Sequence, residues 1–374
     1  MKIENAKRIV IKIGSALLVD AENGTLRKAW FDSIIEDVAS LHQQGKDVVV
    51  VSSGSVALGR KHLNLQGKKL KLEEKQAAAA CGQAELVQYY QEGLQKHGIT
   101  VAQILLDIMD SENRRRYLNA RTTLGTLIDM RVVPVINEND TVATAELRFG
   151  DNDRLAARVA QMVEADVLVL LSDVDGLYTA NPEHDPHAVF IPEVKEITPE
   201  IEAMAGGATS HLGSGGMVTK VAAAKIAVAS GCHMVITKGK GSHPVKALLD
   251  GGKCTWFISA ENPISARKHW IAGSVAPAGV IMVDDGAVNA LLKGKSLLPA
   301  GVKEVSGNFN RGDAVLVANL KGQEVGRGLI AYTISETRRI IGRKSQEIEE
   351  ILGYSGRNAL IHRDDLVITW NSSF

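Results

Sequence analysis

A chain of 374 residues has room for two domains, at roughly 150 residues each. Its 43 basic and 43 acidic side chains cancel, which removes any general attraction to nucleic acid or to an anionic membrane surface. The three cysteines (Cys81, Cys232 and Cys254) are widely spaced, no apolar run could span a bilayer, and the start shows no secretory pattern. A cytoplasmic protein without a disulfide framework is therefore expected, with no membrane association.

Residues 8–13 (RIVIKI) open a series of short β-branched runs. It continues at 47–51 (DVVVV), 101–106, 132–136 (VVPVI), 166–171 (DVLVLL) and 234–237. Runs this apolar fit strands covered on both faces. Between them, Trp30, Phe31, Ile34, Ile35, Val38 and Leu41 mark one face of a helix. A longer helical stretch at 73–97 stops at Gly98. Repeated strand–helix–strand units predict an α/β fold, a three-layer sandwich around a mostly parallel sheet. Near residue 275 the pattern changes to short strands punctuated by Gly307, Gly312, Gly322, Gly326 and Gly328, interrupted by one helical segment at 335–352. This reads as a small C-terminal β-barrel, giving domains at 1–275 and 276–374.

In open α/β sheets ligands bind beyond the carboxyl ends of the strands. Polar clusters fall at those ends: Gly14-Ser15, Ser52-Ser53-Gly54, Asn137-Glu138-Asn139-Asp140, Ser172-Asp173 and Lys238-Gly239. Any one of them would serve equally well as a turn, but their convergence on one sheet edge favours a binding site. Lys12 lies inside a strand that should be buried, so its ammonium needs an anion at the strand end. The segment Gly213-Ser214-Gly215-Gly216-Met217-Val218-Thr219-Lys220 runs into a helix, the arrangement that offers free N–H groups to a phosphate. A third cluster, Gly150-Asp151-Asn152-Asp153, opens another helix. Taken alone it fits an N-cap; so soon after Asp140 it suggests a polar substrate or an organiser of the two lysines.

The common nucleotide signatures are missing. Gly294-Lys295-Ser296 has Asn289 where a Walker A loop needs its first glycine, and neither GxGxxG nor HExxH occurs. His184 and His187, between prolines, read as a solvated loop rather than a metal site.

At these residues the chain resembles the amino-acid kinase family. The shared segments are VIKIGS, VVVVSSGSVALG, RRYLNARTTL, VPVINENDTVATAE, GDNDRLAA, LLSDVDGLYTANP and GSGGMVTK. INEND, GDND and a C-terminal module resembling a PUA domain place it nearest the branch that phosphorylates L-glutamate. The resemblance implies transfer of the ATP γ-phosphoryl group, with Mg²⁺, to the glutamate side-chain carboxylate, the first step of proline synthesis. It implies catalytic roles for Lys12, Lys220 and Asp153, the last orienting the two lysines. ATP contacts are implied for Lys12, Gly14, Ser172, Asp173 and residues 214–220, that is Ser214, Gly215, Gly216, Met217, Val218, Thr219 and Lys220. Glutamate would be held by Ser53, Gly54, Asp140 and Asn152, with Asp140 at its α-ammonium. No protein ligand of the metal is implied. Ser172 and Ser214 stand where threonine is expected in some relatives. Also implied are feedback inhibition by proline, hand-off to glutamyl phosphate reductase, and a homo-oligomer, dimer or tetramer.

Two other readings compete with that one. PUA-like modules occur in RNA-modifying enzymes, yet residues 279–374 carry 12 Lys/Arg against 11 Asp/Glu, so a basic surface is not evident. The alternative substrate reading keeps the kinase fold with another small acid or a nucleotide as acceptor. From the residues alone, the argument reaches phosphoryl transfer to a small polar anion.

Overall fold

The structure, a computed structural model, describes residues 3–20, 22–142, 152–206, 216–272 and 277–370. Two compact units divide the chain, Met1–Pro263 and Ile264–Phe374. Ser214, Gly215 and the segment from Gly150 to Asp151 lie outside the described residues.

In the first unit the uninterrupted β-branched runs become strands because both of their faces can be covered. They are β1 (Arg8–Ile13), β2 (Asp47–Ser52), β3 (Val101–Leu106), β4 (Val133–Glu138) and β5 (Val167–Ser172). The short β6 (Leu177–Tyr178) and β7 (Phe190–Ile191) pair separately as an antiparallel ribbon. With β8 (Glu193–Val194), β9 (His233–Lys238) and β10 (Cys254–Phe257), the main sheet runs β3-β4-β2-β1-β5-β9-β10-β8. It is parallel apart from the β9–β10 pairing. The sequence reading did not assign β8 or β10.

Alternation along β1 divides the core. Ile9, Ile11 and Ile13 join one apolar cluster with Phe31, Ile34, Val38, Leu86 and Tyr90, supplied by the helices Lys28–Gln43 and Leu72–Gln95. Val10 faces the other side, against Leu155, Val159, Ala223 and Ala224 of the helices Asn152–Met162 and Met217–Ala229. Each fully buried branched side chain contributes roughly 1.5–3 kcal/mol of transfer free energy, so this register is strongly specified. By the same period of two, Lys12 points to the Val10 side, towards those two helix N-termini.

The expected helix at 73–97 spans Leu72–Gln95 and closes with the Ile99 N–H on the Leu94 carbonyl. It crosses the helix Ser55–His62 at very short range. A Cβ on Gly82 would lie 1.9 Å from the Ser55 carbonyl oxygen, and one on Gly59 would lie 1.7 Å from that of Ala78. These glycines are required by the closeness of two backbones, which seats Ser55 and Gln83 side by side at the sheet edge.

The second unit holds β11 (Gly279–Val283), β12 (Val302–Gly307), β13 (Ala314–Asn319), β14 (Glu324–Leu329) and β15 (Leu366–Ile368). Their order is β12-β11-β13-β14-β15, around a core that includes Ile281, Phe309, Val317, Val325, Tyr332 and Leu360. The helix expected at 335–352 is broken into Ile334–Ile340, a 3-10 turn at Ser345–Glu347 and Ile348–Leu352. Gly342 causes the break: its φ of 74° is left-handed, and its N–H leaves the helix for the Pro299 carbonyl.

Gly82→Ala should lower the unfolding free energy measured by chemical denaturation by about 2 kcal/mol or more, because two backbones must separate. Gly125→Ala is the contrasting case, with nothing within 4 Å of the added Cβ on the helix Arg114–Asp129. It should raise stability by roughly 0.5–1 kcal/mol. Equal effects from the two substitutions would refute this account of the helix crossing.

Candidate active site

Lys12 extends from the carboxyl end of β1 with only 9% of its surface exposed, and its Nζ lies 2.5 Å from Asp153 Oδ1. On the other carboxylate oxygen, Lys220 Nζ donates at 3.1 Å and Thr219 Oγ1 at 3.0 Å. Asp153 occupies the first turn of the helix Asn152–Met162, where the helix dipole favours an anion. Lys220 occupies the first turn of Met217–Ala229, where the same dipole disfavours a cation. The local rule is broken there, and the Asp153 carboxylate is what compensates.

Asp153 is almost wholly buried. Burial by itself would raise its carboxyl pKa; the ammonium groups of Lys12 and Lys220 outweigh burial and hold it below the usual range. The triad keeps two cations against one anion. An excess of one positive charge, largely removed from water, favours the approach of an anion.

The remaining residues expected near the phosphates gather around this triad. A Cβ on Gly14 would lie 3.7 Å from Lys12 Nζ. Gly216 N–H donates to Thr219 Oγ1, and the Gly216 carbonyl, 2.9 Å from that oxygen, is the alternative acceptor to Asp153 for its one proton. Met217 and Val218 complete the first turn, whose N–H groups lack intrahelical partners. Ser172, at the end of β5, donates to Asp173 at 3.0 Å. Burial would raise the Asp173 pKa, but that hydroxyl, its backbone and the nearby Lys220 and Lys240 lower it. Ser214 and Gly215 are outside the described residues.

One residue before Asp153, a second cluster begins. Asn152 Nδ2 donates to Ser53 Oγ at 2.7 Å and to Asn137 Oδ1 at 2.9 Å. Asn137 Nδ2 in turn donates to Gln83 Oε1 at 2.8 Å and to Ser55 Oγ at 3.2 Å. Ser55 Oγ donates to Asp140 Oδ2 at 3.3 Å. Gly54 makes the bend after Ser53 with a left-handed φ of 118°, starting the helix that carries Ser55. Below them, Tyr90 donates to Ser52 Oγ at 3.0 Å, and burial pushes its phenol pKa up so that the proton stays.

Lys12, Asp153, Thr219 and Lys220 are thus joined directly, as are Ser53 and Asn152, with Asp140 linked through Ser55. Sequence reasoning missed Ser55, Gln83 and Tyr90, and gave Asn137 no role. A signal for Gln83 exists: Ala79, Gln83, Leu86, Tyr90 and Leu94 share one buried helix face, and Gln83 is its one polar member. His184 and His187 are both exposed.

Residues 7–238 match the amino acid kinase family and residues 279–352 match the PUA domain. A glutamate 5-kinase of Paramagnetospirillum magneticum is 61% identical over 363 residues, covering 97% of this chain and 98% of its own. Another glutamate 5-kinase, of Agrobacterium fabrum, is 60% identical over 362 residues, covering 97% and 93% respectively. Among solved structures, a carbamate kinase from Giardia lamblia superposes with a TM-score of 0.50 at 19% identity, over 69% of this chain and all of that one. That likeness shows the fold.

The buried triad gives an acid-stability prediction. A carboxyl whose pKa is lowered in the fold stabilises the protein above its unfolded value of about 3.9, and that stability is lost as pH falls through the lower folded value. Asp153→Asn should cost roughly 3–5 kcal/mol at neutral pH by leaving two ammonium groups unpaired. Its denaturation midpoint should then decline less steeply than the wild type's below about pH 4. Parallel acid profiles for the two proteins would contradict the charge balance derived above.

Proposed function

Because this chain belongs to the amino acid kinase family, we propose that it transfers the γ-phosphoryl group of ATP to the side-chain carboxylate of L-glutamate. The product is L-glutamyl 5-phosphate, and the reaction opens proline biosynthesis. Support comes from full-length relatives that carry the glutamate 5-kinase name. The observation that carries the chemistry is the buried triad of Lys12, Asp153 and Lys220 with its excess positive charge.

A carboxylate nucleophile has a pKa of about 4.3 and is already ionised at neutral pH. No general base is required. A glutamate oxygen attacks the γ-phosphorus in line as the bond to the ADP oxygen breaks, and ADP leaves with that electron pair. What remains for the protein is alignment and neutralisation of charge on the equatorial oxygens. Lys12 and Lys220 meet that charge from two different elements, and Asp153 keeps both ammonium groups aimed at it. Gly14, Ser172, Asp173 and residues 214–220 would hold the nucleotide. Ser53, Gly54, Asp140 and Asn152 would hold glutamate, with Asp140 at the α-ammonium.

Asp153 faces two ammonium groups, a poor donor set for a metal. Among the described residues no group of three potential ligands could hold one. Magnesium would enter with ATP as its phosphate complex, and would supply neutralisation of phosphate charge there. Acyl phosphates hydrolyse readily, so direct passage to a glutamyl phosphate reductase suits the product. Proline, an amino acid formed downstream, would inhibit by competing at the glutamate site. The working form would be a cytoplasmic dimer or tetramer; no described helix is long and apolar enough to cross a membrane.

Purified protein, Mg-ATP and hydroxylamine should yield hydroxamate with L-glutamate and not with aspartate or N-acetylglutamate. Hydroxamate from another acid instead would keep the kinase and discard glutamate. Lys220→Ala should lower kcat by about 100-fold or more while KM for glutamate stays within about threefold. An unchanged kcat would remove Lys220 from the chemistry.

A further inference from the structure

We infer that Gln83 is a positioning residue: by accepting from Asn137 it sustains the hydrogen-bond polarity of the acceptor site, and with it the preference for an acid bearing a free ammonium group. The inference rests on the glutamate reading above and deepens it.

An asparagine side chain presents an acceptor on one side and two donors on the other, and nothing in its shape decides which faces where. Here the surrounding bonds decide. Asn152 Nδ2 points at Ser53 Oγ, at Asn137 Oδ1 and, at 3.5 Å, at the Ser52 carbonyl, which can only accept. Its Oδ1 takes no bond from the described residues. Asn137 must then turn Oδ1 towards Asn152 and Nδ2 away from it. The away side is where Gln83 Oε1 waits, 2.8 Å from that Nδ2 in a buried setting.

Two consequences reach the substrate. Ser53 Oγ already accepts a hydrogen bond, so its own proton is available to an anionic oxygen. Asn152 Oδ1 is left as an acceptor, suited to an ammonium group alongside Asp140. Were Asn137 reversed, Asn152 would have to reverse as well and would offer N–H donors to that ammonium. The Ser52 carbonyl opposes the reversal because it can only accept, and Gln83 Oε1 supplies the buried acceptor that the resulting Asn137 orientation requires. Gln83 is itself held by the close helix crossing at its neighbour Gly82. None of its atoms need touch the substrate.

The test compares L-glutamate with glutarate, the same diacid without the ammonium group, in hydroxamate trapping with the full-length enzyme. Gln83→Met keeps the length and removes the acceptor. It should raise KM for L-glutamate about tenfold and lower the glutamate-to-glutarate ratio of kcat/KM at least tenfold, with KM for ATP within about twofold. Gln83→Glu keeps an oxygen that can only accept and should retain the wild-type ratio. An unchanged ratio in Gln83→Met, or equal losses in both variants, would overturn the inference. Should Gln83→Met not fold, Gln83→Asn withdraws the oxygen by one methylene and is read in the same way. A wild-type enzyme that gives no glutamate hydroxamate would instead sink the functional reading, so the two failures are distinct.

Discussion

Two buried ammonium groups cannot share a small volume unless an anion stands between them, and the chain supplies that anion once, at Asp153. Much of the first unit follows from this constraint. Lys12 must sit on the face of β1 that looks towards the helices, which the alternation of the strand determines. Lys220 must reach the same carboxylate from a separate helix. The helices Asn152–Met162 and Met217–Ala229 come close enough because their buried faces are built from small side chains, Ala156, Ala157 and Ala160 on one and Ala223, Ala224 and Ala227 on the other. Larger residues there would part the first turns and leave the lysines without their partner.

Asn152 and Asp153 are adjacent, and successive side chains on a helix point about 100° apart. Asp153 therefore turns to the lysines while Asn152 turns to Ser53 and Asn137. One helix N-terminus fixes the lysine cluster and the Ser53–Asn137 cluster relative to each other. In the proposed reaction a nucleophilic oxygen and a phosphorus would meet in line, and a shared, rigid origin for both clusters would serve that need better than two independent loops.

The parts of this arrangement that sequence exposes are those where a residue conflicts with its surroundings. Lys12 in an apolar strand is such a conflict, and it led to the sheet edge and to the need for an anion. The β-branched runs likewise announced buried strands, and the polar residues after them announced the edge. Gln83 gave a weaker warning, as the one polar member of a buried helix face, and Tyr90 gave none; their meaning depends on Asn137 and Ser52 arriving from elsewhere in the chain. The interruption at Gly342 was equally hidden, since a single glycine within a helical pattern is tolerated unless a partner such as the Pro299 carbonyl draws its N–H away. Tertiary partners, not local preference, decide these cases.

A carboxylate acceptor changes what the site has to select. It needs no proton removed, so no histidine or cysteine has to be tuned, and the positive excess of the triad would favour almost any small anion that reached it. Discrimination must then come from the part of the substrate that does not react. The Gln83–Asn137–Asn152 chain is suited to this because its members are neutral and the first two are buried. Reversing one amide means reversing the next or leaving a donor or acceptor unpaired, at a cost of about 1–3 kcal/mol for each. On the proposed reading, charge at the lysines would draw the anion in, and hydrogen-bond polarity a few residues away would decide which acid remains long enough to react.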